Sequence, residues 1–529
     1  MRRDISVSAA AARLRPRPSI LTLVRRPTGW VAAGCLAISA GAAAQSPPPA
    51  IDAYIAKAMK DWDVPGLSIS IVQGGRVVAA KGYGVRGLGR PDAVDENTLF
   101  SIGSSTKAFG STAVALLVED GKLKWDDRVV DYLPWFRLPD PWITHELRVK
   151  DLLTMRAGTP SLNQLREIAK DRTDFLRRLR FSEQVHGFRD QYGYTNDMLI
   201  TSGALVEAVA GKTWDEFMRE RIWDPLGMKS TTSRMARARA EPNHMAPHAF
   251  KERFVGHAKT PGPQLRPIAW EYSDDVAVPA GGVVSSARDM AEWIRFQLDV
   301  DGRGLLSPKM KRLLHAPETV IANLDWWMTA ENYATYAMGW VTGEFLGRTV
   351  VSHGGEGPGF NAQVAMFPGE GFGLFIVANR NSLLPYLLTK YIMAAYFGGA
   401  EKRDWAAPYV KQIETWNTAI KQAEAARQAG RLKNVGPSLP LARYAGTYVN
   451  DLTGRLQIQA TDSGLVAEIA ARERPIRMPL EHWQIDQFTA TRNEWGVLLY
   501  YTFDINASGA VTGVTVSAFG TFKRVGSRE

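Results

Sequence analysis

The sequence predicts a mixed α/β (α+β) chain that passes into a small all-β domain, and three stretches carry that expectation. Leu67-Ser68-Ile69-Ser70-Ile71-Val72 alternates strictly, turns at Gln73-Gly74-Gly75 and returns as Arg76 to Tyr83, the pattern of a β-hairpin. Ala108 to Asp120 carries Phe109, Ala113, Leu116 and Leu117 at helical spacing and stops at Gly121, a helix C-cap. From Leu441 onward, short strand-like segments alternate with Gly, Asn and Asp turns, which reads as a barrel or sandwich.

The chain begins with a leader. Residues 1–44 carry seven arginines (Arg2, Arg3, Arg13, Arg15, Arg17, Arg25 and Arg26) against one acid, Asp4. They therefore hold most of the formal +10, and the remainder is too weakly basic to suggest a nucleic-acid partner. The small, apolar run Trp30 to Ala40 follows, then Ala42-Ala43-Ala44 before Gln45-Ser46-Pro47, an Ala-x-Ala signal-peptide cleavage pattern. The expected location is periplasmic or secreted. The one cysteine, Cys35, lies inside this leader, and lipoprotein anchoring through it is disfavoured because Ala32 stands where an apolar residue such as Leu is wanted. No other stretch has the unbroken apolar length of a membrane span, so no stable transmembrane anchor is expected. At 529 residues, 45% apolar and 22% charged, the chain has the size and composition of a globular protein of two or more domains.

After the stiff Pro47-Pro48-Pro49, Ile51, Ile55, Met59 and Trp62 mark a helix that ends before Val64-Pro65-Gly66. The hairpin comes next, then the helix after Ser104. A further helix is predicted to begin near Lys150 and to stop before Gly158-Thr159-Pro160. Residues 161–190, rich in Arg, Asp and Glu, read as solvated helices whose charges belong to the surface. Asp197 to Ala210 reads as a buried helix. Between Met235 and Tyr272 the chain is polar and irregular. His244 and His248 have metal-ligand spacing there, with His257 beyond, but Pro242 and Pro247 break the helix such a site needs; the segment reads as a substrate-covering loop, with no metal. Ser285 or Ser286 caps the amphipathic helix Ala287 to Leu298. Strands at Gln363 to Phe367 and Gly373 to Ala378 flank the turn Pro368-Gly369-Glu370-Gly371, and the apolar helix Leu384 to Phe397 closes the domain. Lys402 to Leu432 reads as an amphipathic linker helix.

Three stretches carry chemistry. In Phe100-Ser101-Ile102-Gly103-Ser104-Ser105-Thr106-Lys107, Ser104 and Lys107 sit one turn apart on the same face of one helix. A serine hydroxyl is a poor nucleophile at neutral pH, and an amine can take its proton only when burial and neighbours depress the lysine pKa. Ser-x-x-Lys arises about once by chance in a chain this long, usually on a solvated helix. Tyr194-x-Asn196, within Tyr192-Gly193-Tyr194-Thr195-Asn196, places a phenol and a carboxamide on one side of a short loop. His353-Gly354-Gly355-Glu356 follows the apolar pair Val350-Val351, and its glycines let a substrate or another backbone approach closely. Each has a bland reading as packing or a turn; together, in this order, they have another.

Ser104-x-x-Lys107, Tyr194-x-Asn196 and His353-Gly354-Gly355 resemble the serine β-lactamase-like family. The likeness is to its class C branch, which holds class C β-lactamases, D-alanyl-D-alanine carboxypeptidases, D-aminopeptidases and esterases. Phe100-Ser101-Ile102-Gly103, Asp151-Leu152-Leu153-Thr154, Pro279-Ala280-Gly281-Gly282 and Tyr336-Ala337-Met338-Gly339-Trp340 also resemble its recurring segments, over roughly residues 50 to 397. The resemblance implies a β-lactamase/transpeptidase-like antiparallel sheet flanked by helices, with an all-helical subdomain. It implies Ser104 as acylated nucleophile, Lys107 and Tyr194 relaying its proton, and backbone amides of Ser104 and Glu356, beside Gly354 and Gly355, as oxyanion hole. Asn196 would orient the substrate amide, and His353 would support Tyr194 and the substrate's polar end. No cofactor or metal is implied, and the partner is a small molecule or short peptide. His353 stands where lactamases carry lysine, which argues against an efficient β-lactamase or a strict carboxypeptidase and favours an amidase, aminopeptidase or esterase.

Tyr444-Ala445-Gly446-Thr447-Tyr448 and His482-Trp483 resemble the lipocalin-like domain that follows the catalytic domain in some of these hydrolases. Capping the active site, restricting substrate size and mediating a homo-oligomer stand open as its role. The expected organisation is a signal peptide over 1–44, a hydrolase domain over 45–399, a helical linker over 400–440 and the lipocalin-like barrel over 441–529. The expected activity is an exported serine hydrolase forming an acyl-enzyme, with D-residue preference implied by the resemblance. The rival from another class is a catalytically silent, penicillin-binding-like sensor.

Overall fold

The computed structural model describes residues 50–250, 265–270, 276–299, 302, 304–325, 327–471, 475–492 and 498–526. The leader, Cys35 and His257 lie outside the described residues. After α1 (Ala50–Asp61) come β1 (Gly66–Gln73) and β2 (Arg76–Gly84), the hairpin expected from the alternating sequence. β1 pairs on its other side with the last strand of the domain, so the two ends of the domain's sequence are hydrogen-bonded together. The strands β3 (Thr319–Ile321), β4 (Ala334–Tyr336), β5 (Val341–Phe345), β6 (Arg348–Gly357), β7 (Phe360–Phe367) and β8 (Phe372–Ala378) complete an eight-stranded antiparallel sheet of order β2-β1-β8-β7-β6-β5-β4-β3.

Helices cover both faces of this sheet, and β8 shows why. Successive side chains of a strand point to opposite faces. Phe372 meets Tyr396 and Phe397 of helix 384–397, whereas Gly373 lies against Ile294 of helix 287–297. A strand buried on both sides needs a near-continuous apolar run, and every residue of Phe372–Ala378 is buried. Ser286 provides the N-cap of helix 287–297, its side chain accepting from the Asp289 amide.

Between β2 and that helix the chain is mainly helical. α2 (Thr106–Glu119) runs through the middle and is buried from Thr106 to Leu117, with Phe109 stacked on Trp293 at 3.8 Å. It packs beside α5 (Asp197–Ala210), reached through the short α3 (Leu165–Ile168) and α4 (Arg172–Arg178). The helix predicted to begin near Lys150 is only a 3-10 turn, Val149–Leu153. The buried Asp151 carboxylate accepts from the Arg148 amide, Arg156 Nε and Arg189, and Met155 takes a positive φ of 53°, which ends the helical path.

Helices 287–297 and 384–397 are α6 and α7, and α8 (Ala407–Ala429) leads to the second core. There, eight strands from Gly446–Asn450 to Gly520–Arg524 close an up-and-down barrel. Its interior is filled by Tyr444, Tyr448, Phe488, Tyr501, Phe503 and Phe522, among others.

Asp197, the first residue of α5, is fully buried and accepts from the Leu162 amide, which pins the 161–163 loop over the start of α5. Burial raises its carboxyl from 3.8 to about 7. Between those values the folded chain binds a proton the unfolded chain has lost, so this group makes stability fall as pH rises from about 4 to about 7. Asp197→Asn is expected to remove that slope. Denaturant unfolding at several pH values checks it, and an unchanged pH dependence would refute the assignment.

Candidate active site

Ser104 lies in a 3-10 turn, Gly103–Ser105, that runs straight into α2. The sequence places Ser104 inside the helix itself. The turn forms because Gly103 has φ +52°, a conformation suited to glycine, and because its backbone abuts β6. Lys107, in the first turn of α2, is 0% exposed. Its Nζ lies 2.8 Å from Ser104 Oγ, 2.7 Å from Asn196 Oδ1 and 2.8 Å from the Ala280 carbonyl oxygen.

These three partners define a base. Burial first, and the nearby Arg166 guanidinium second, push the Lys107 pKa well below its usual value. A neutral amine has two N–H bonds and one lone pair. The Asn196 oxygen and the Ala280 carbonyl can only accept, so they take the two hydrogens. The lone pair is left facing the Ser104 hydroxyl. Asn196 is itself oriented, since its Nδ2 donates to Asn163 Oδ1 at 3.0 Å, which turns the oxygen toward Lys107.

The Tyr194 ring stands over the same amine, with its centroid 4.9 Å from Lys107 Nζ. Tyr336 and Trp327 meet it edge-on at 6.3 and 6.2 Å. His353 is 1% exposed and sits behind this layer. Its Nε2 lies 2.9 Å from Tyr336 Oη, and its Nδ1 lies 2.6 Å from the Gly354 carbonyl oxygen. The carbonyl fixes the proton on Nδ1, so Nε2 accepts from Tyr336. Burial, with Lys107 adding to it, pushes the His353 pKa down to about 3, so the ring is neutral. Its ring centroid is 6.4 Å from that of Tyr194.

The open edge of β6 faces Ser104. Pro358-Gly359 is a two-residue turn between β6 and β7, so Gly357 and Phe360 form a hydrogen-bonded pair, as do Gly355 and Ala362. The amides of Gly354 and Glu356 then point the other way. β5 pairs with β6 only as far as Ser352, so that edge is unoccupied at Glu356. A Cβ at Gly103 would fall 2.7 Å from the Glu356 nitrogen, and one at Gly355 would lie 3.1 Å from the Ser104 nitrogen and collide with the Ile102 carbonyl. The two amides thus meet where the backbones touch, and only glycine permits the contact. Geometry of this kind can bind a developing oxyanion.

All of Ser104, Lys107, Tyr194, Asn196, His353, Gly354, Gly355 and Glu356 therefore converge. Reading the sequence missed the Ala280 carbonyl, Tyr336 and Trp327 as site neighbours, although Ala280 and Tyr336 lie in segments it singled out. It also assigned 161–190 to the surface; instead Leu165, Ile168, Phe175 and Leu176 are buried, and Arg166 approaches Lys107. His244 and His248 belong elsewhere: His244 stacks on Trp270, and His248 bonds the Leu88 amide and the Asn379 carbonyl. Among the described residues no cluster of three or more His, Cys, Asp or Glu side chains could hold a metal ion.

Gly355→Ala forces β6 away from the Ser104 turn and is expected to lower turnover at least about 100-fold, the scale of losing one oxyanion donor. Steady-state hydrolysis of an activated ester checks this, and wild-type turnover in that variant would contradict the assignment.

Residues 51–394 match the Beta-lactamase family, and residues 431–525 match a domain of unknown function, DUF3471. Unguisins hydrolase ungD' of Aspergillus campestris (strain IBT 28561) is 29% identical over 411 residues, 73% of this chain and 73% of its own. Unguisins hydrolase ungD of Aspergillus violaceofuscus (strain CBS 115571) is 28% identical over 467 residues, 82% of this chain and 81% of its own. The octameric penicillin-binding protein homologue from Pyrococcus abyssi has a similar fold, with TM-score 0.59 and 20% identity over 90% of this chain and 99% of that one. With residues 51–394, well over half of its length, matched, the chain belongs to the Beta-lactamase family.

Proposed function

We propose that this chain is an exported serine hydrolase of the class C type that cleaves amide or ester bonds through an acyl-enzyme on Ser104. The observation that carries the reading is the Lys107 amine, 2.8 Å from Ser104 Oγ with its other two partners able only to accept. Lys107 Nζ takes the hydroxyl proton as Ser104 Oγ attacks the substrate carbonyl. The carbonyl oxygen, now negative, is held by the amides of Ser104 and Glu356. Tyr194, beside Lys107, passes the proton to the leaving amine or alcohol, and the ester on Ser104 remains. Water, deprotonated by the same groups, then releases the acid and restores the serine.

A neutral His353 supports an amidase, aminopeptidase or esterase. At the position where lactamases carry a lysine ammonium, this chain has an uncharged ring, and the exposed Glu356 carboxylate beyond it is unfavourable to an anion. β-Lactam or D-alanyl-D-alanine carboxypeptidase turnover is accordingly the lesser alternative. Preference for D-residues, suggested by the class C resemblance, is part of the proposal, as are removal of the leader after Ala44, a periplasmic or secreted location and self-association through the C-terminal domain. Two relatives bear the name hydrolase, which favours an active enzyme over a silent sensor.

A fluorophosphonate probe is expected to add to Ser104, seen by intact mass and peptide mapping. A folded protein that takes no adduct would favour the sensor. Lys107→Met and Tyr194→Phe are each expected to lower hydrolysis of a p-nitrophenyl ester or D-aminoacyl anilide by at least about 100-fold.

Because the neutral amine is the active form, kcat/KM is expected to rise with pH through the depressed Lys107 pKa and to fall below it. His353→Gln should leave the position of that acidic limb nearly unchanged, since the ring is already neutral above about pH 4. A limb that vanishes in His353→Gln would reassign it to the histidine.

A further inference from the structure

The short helix α3 touches both cores of the molecule, and its last three residues have three different sets of partners. Ile168 is buried in the aromatic interior cluster of the C-terminal barrel. Glu167 forms an ion pair at 2.9 Å with Arg492, at the end of a barrel strand. Close by, Arg178 of α4 donates to the Leu452 carbonyl, the second tie to the barrel. Arg166, in the same turn, acts instead on the catalytic amine.

Arg166 follows Asn163 by three residues, and its amide donates to the Asn163 carbonyl, so the two lie on one face of the turn. Asn163 is the residue that orients Asn196. The Arg166 guanidinium is near enough to act electrostatically on both Lys107 and Asp197. Its Nε is shielded from solvent with no hydrogen-bond partner, and among the described residues its side chain makes no ion pair. A guanidinium presents five donors in a fixed fork that matches a carboxylate, and shielded donors are almost always satisfied. Among the described residues Arg177 and Arg180 of the same stretch also lack an acid partner, one lying over the Trp135 ring and the other donating to a backbone carbonyl, but Arg166 is the one whose charge acts on the nucleophile's base, where a substrate can bring it an anion.

We propose that Arg166 is the subsite for a carboxylate on the acyl half of the substrate, and that the barrel positions it through Glu167 and Ile168. The acyl half is favoured because Arg166 stands on the Asn196 side of Ser104, where the substrate amide is to be oriented, whereas Glu356 lines the β6 edge with opposite charge. A dicarboxylic monoacyl group or an acidic aminoacyl group is the matching chemistry. The inference deepens the acyl-enzyme reading and rests on it. It also gives the C-terminal domain a task at the active site other than covering it.

The test uses the full chain and two acylaminomethyl boronic acids that bond reversibly to an active-site serine, one bearing a glutaryl group and the other its terminal carboxamide isostere. Each competes with the fluorophosphonate for Ser104. In the wild type the anionic compound is expected to bind roughly tenfold tighter or more, a preference that weakens as salt is raised. The ratio should fall toward one in Arg166→Gln, survive in part in Arg166→Lys, and shrink in Arg492→Ala, which removes the ion pair to Glu167, one of the ties to the barrel. Equal inhibition of the wild type by both compounds, or a preference that persists in Arg166→Gln, overturns the subsite. A wild-type protein whose Ser104 takes neither the phosphonate nor either boronic acid instead sinks the acyl-enzyme reading, and the subsite with it.

Discussion

Burying the Lys107 amine without an acid beside it is the constraint on which the site depends. A lysine in such a place is costly while charged, so it gives up its proton and becomes a base. The surroundings match a neutral amine: two acceptor-only oxygens, from Asn196 just before α5 and from the 278–281 turn, and one hydroxyl that can donate. A carboxylate at either position would restore the charge and remove the base. Much of the helical subdomain serves this arrangement. α2 is buried along almost its whole length, and α5 is sealed over it by the Asp197 contact with the 161–163 loop.

The sheet supplies the other half of the site. β6 must approach the Ser104 turn closely enough for two amides to meet, and this happens only where Gly103 and Gly355 face each other without side chains. The hydrogen-bond parity set by the Pro358-Gly359 turn then aims the Glu356 amide at the nucleophile. His353 acts one layer deeper, as an acceptor for Tyr336, and Tyr336 in turn packs against Tyr194. An uncharged imidazole suits that buried position, where a lysine would have needed a substrate anion or a carboxylate to offset it.

Much of this was legible in the sequence. The hairpin, the buried helices, the strands after Gly359 and the barrel followed from period and turn chemistry, because each has one strongly patterned face. The three motifs named the side chains that converge. What the sequence did not disclose were contacts made by backbone or by irregular segments. The Ala280 carbonyl carries no residue signature, since any residue has one. Met155 leaves the helical path at a position where propensity alone favours continuing it. Arg166 sits in a stretch so rich in charge that its neighbours look solvated, and only the tertiary fold separates the arginines that find acids, such as Arg172 with Glu207, from Arg166, whose charge instead reaches the catalytic amine. Reading a charged run as surface fails when one turn of it is wedged between two cores.

The most direct measurement of the central claim is the titration of the Lys107 amine itself, followed by its side-chain 13Cε and 15Nζ chemical shifts in lysine-labelled protein, with Lys107→Met identifying the signal. The account predicts a resonance that changes from charged to neutral well below the ordinary lysine pKa of 10.5 and stands apart from the surface lysines. A Lys107 signal that titrates together with the exposed lysines would contradict it.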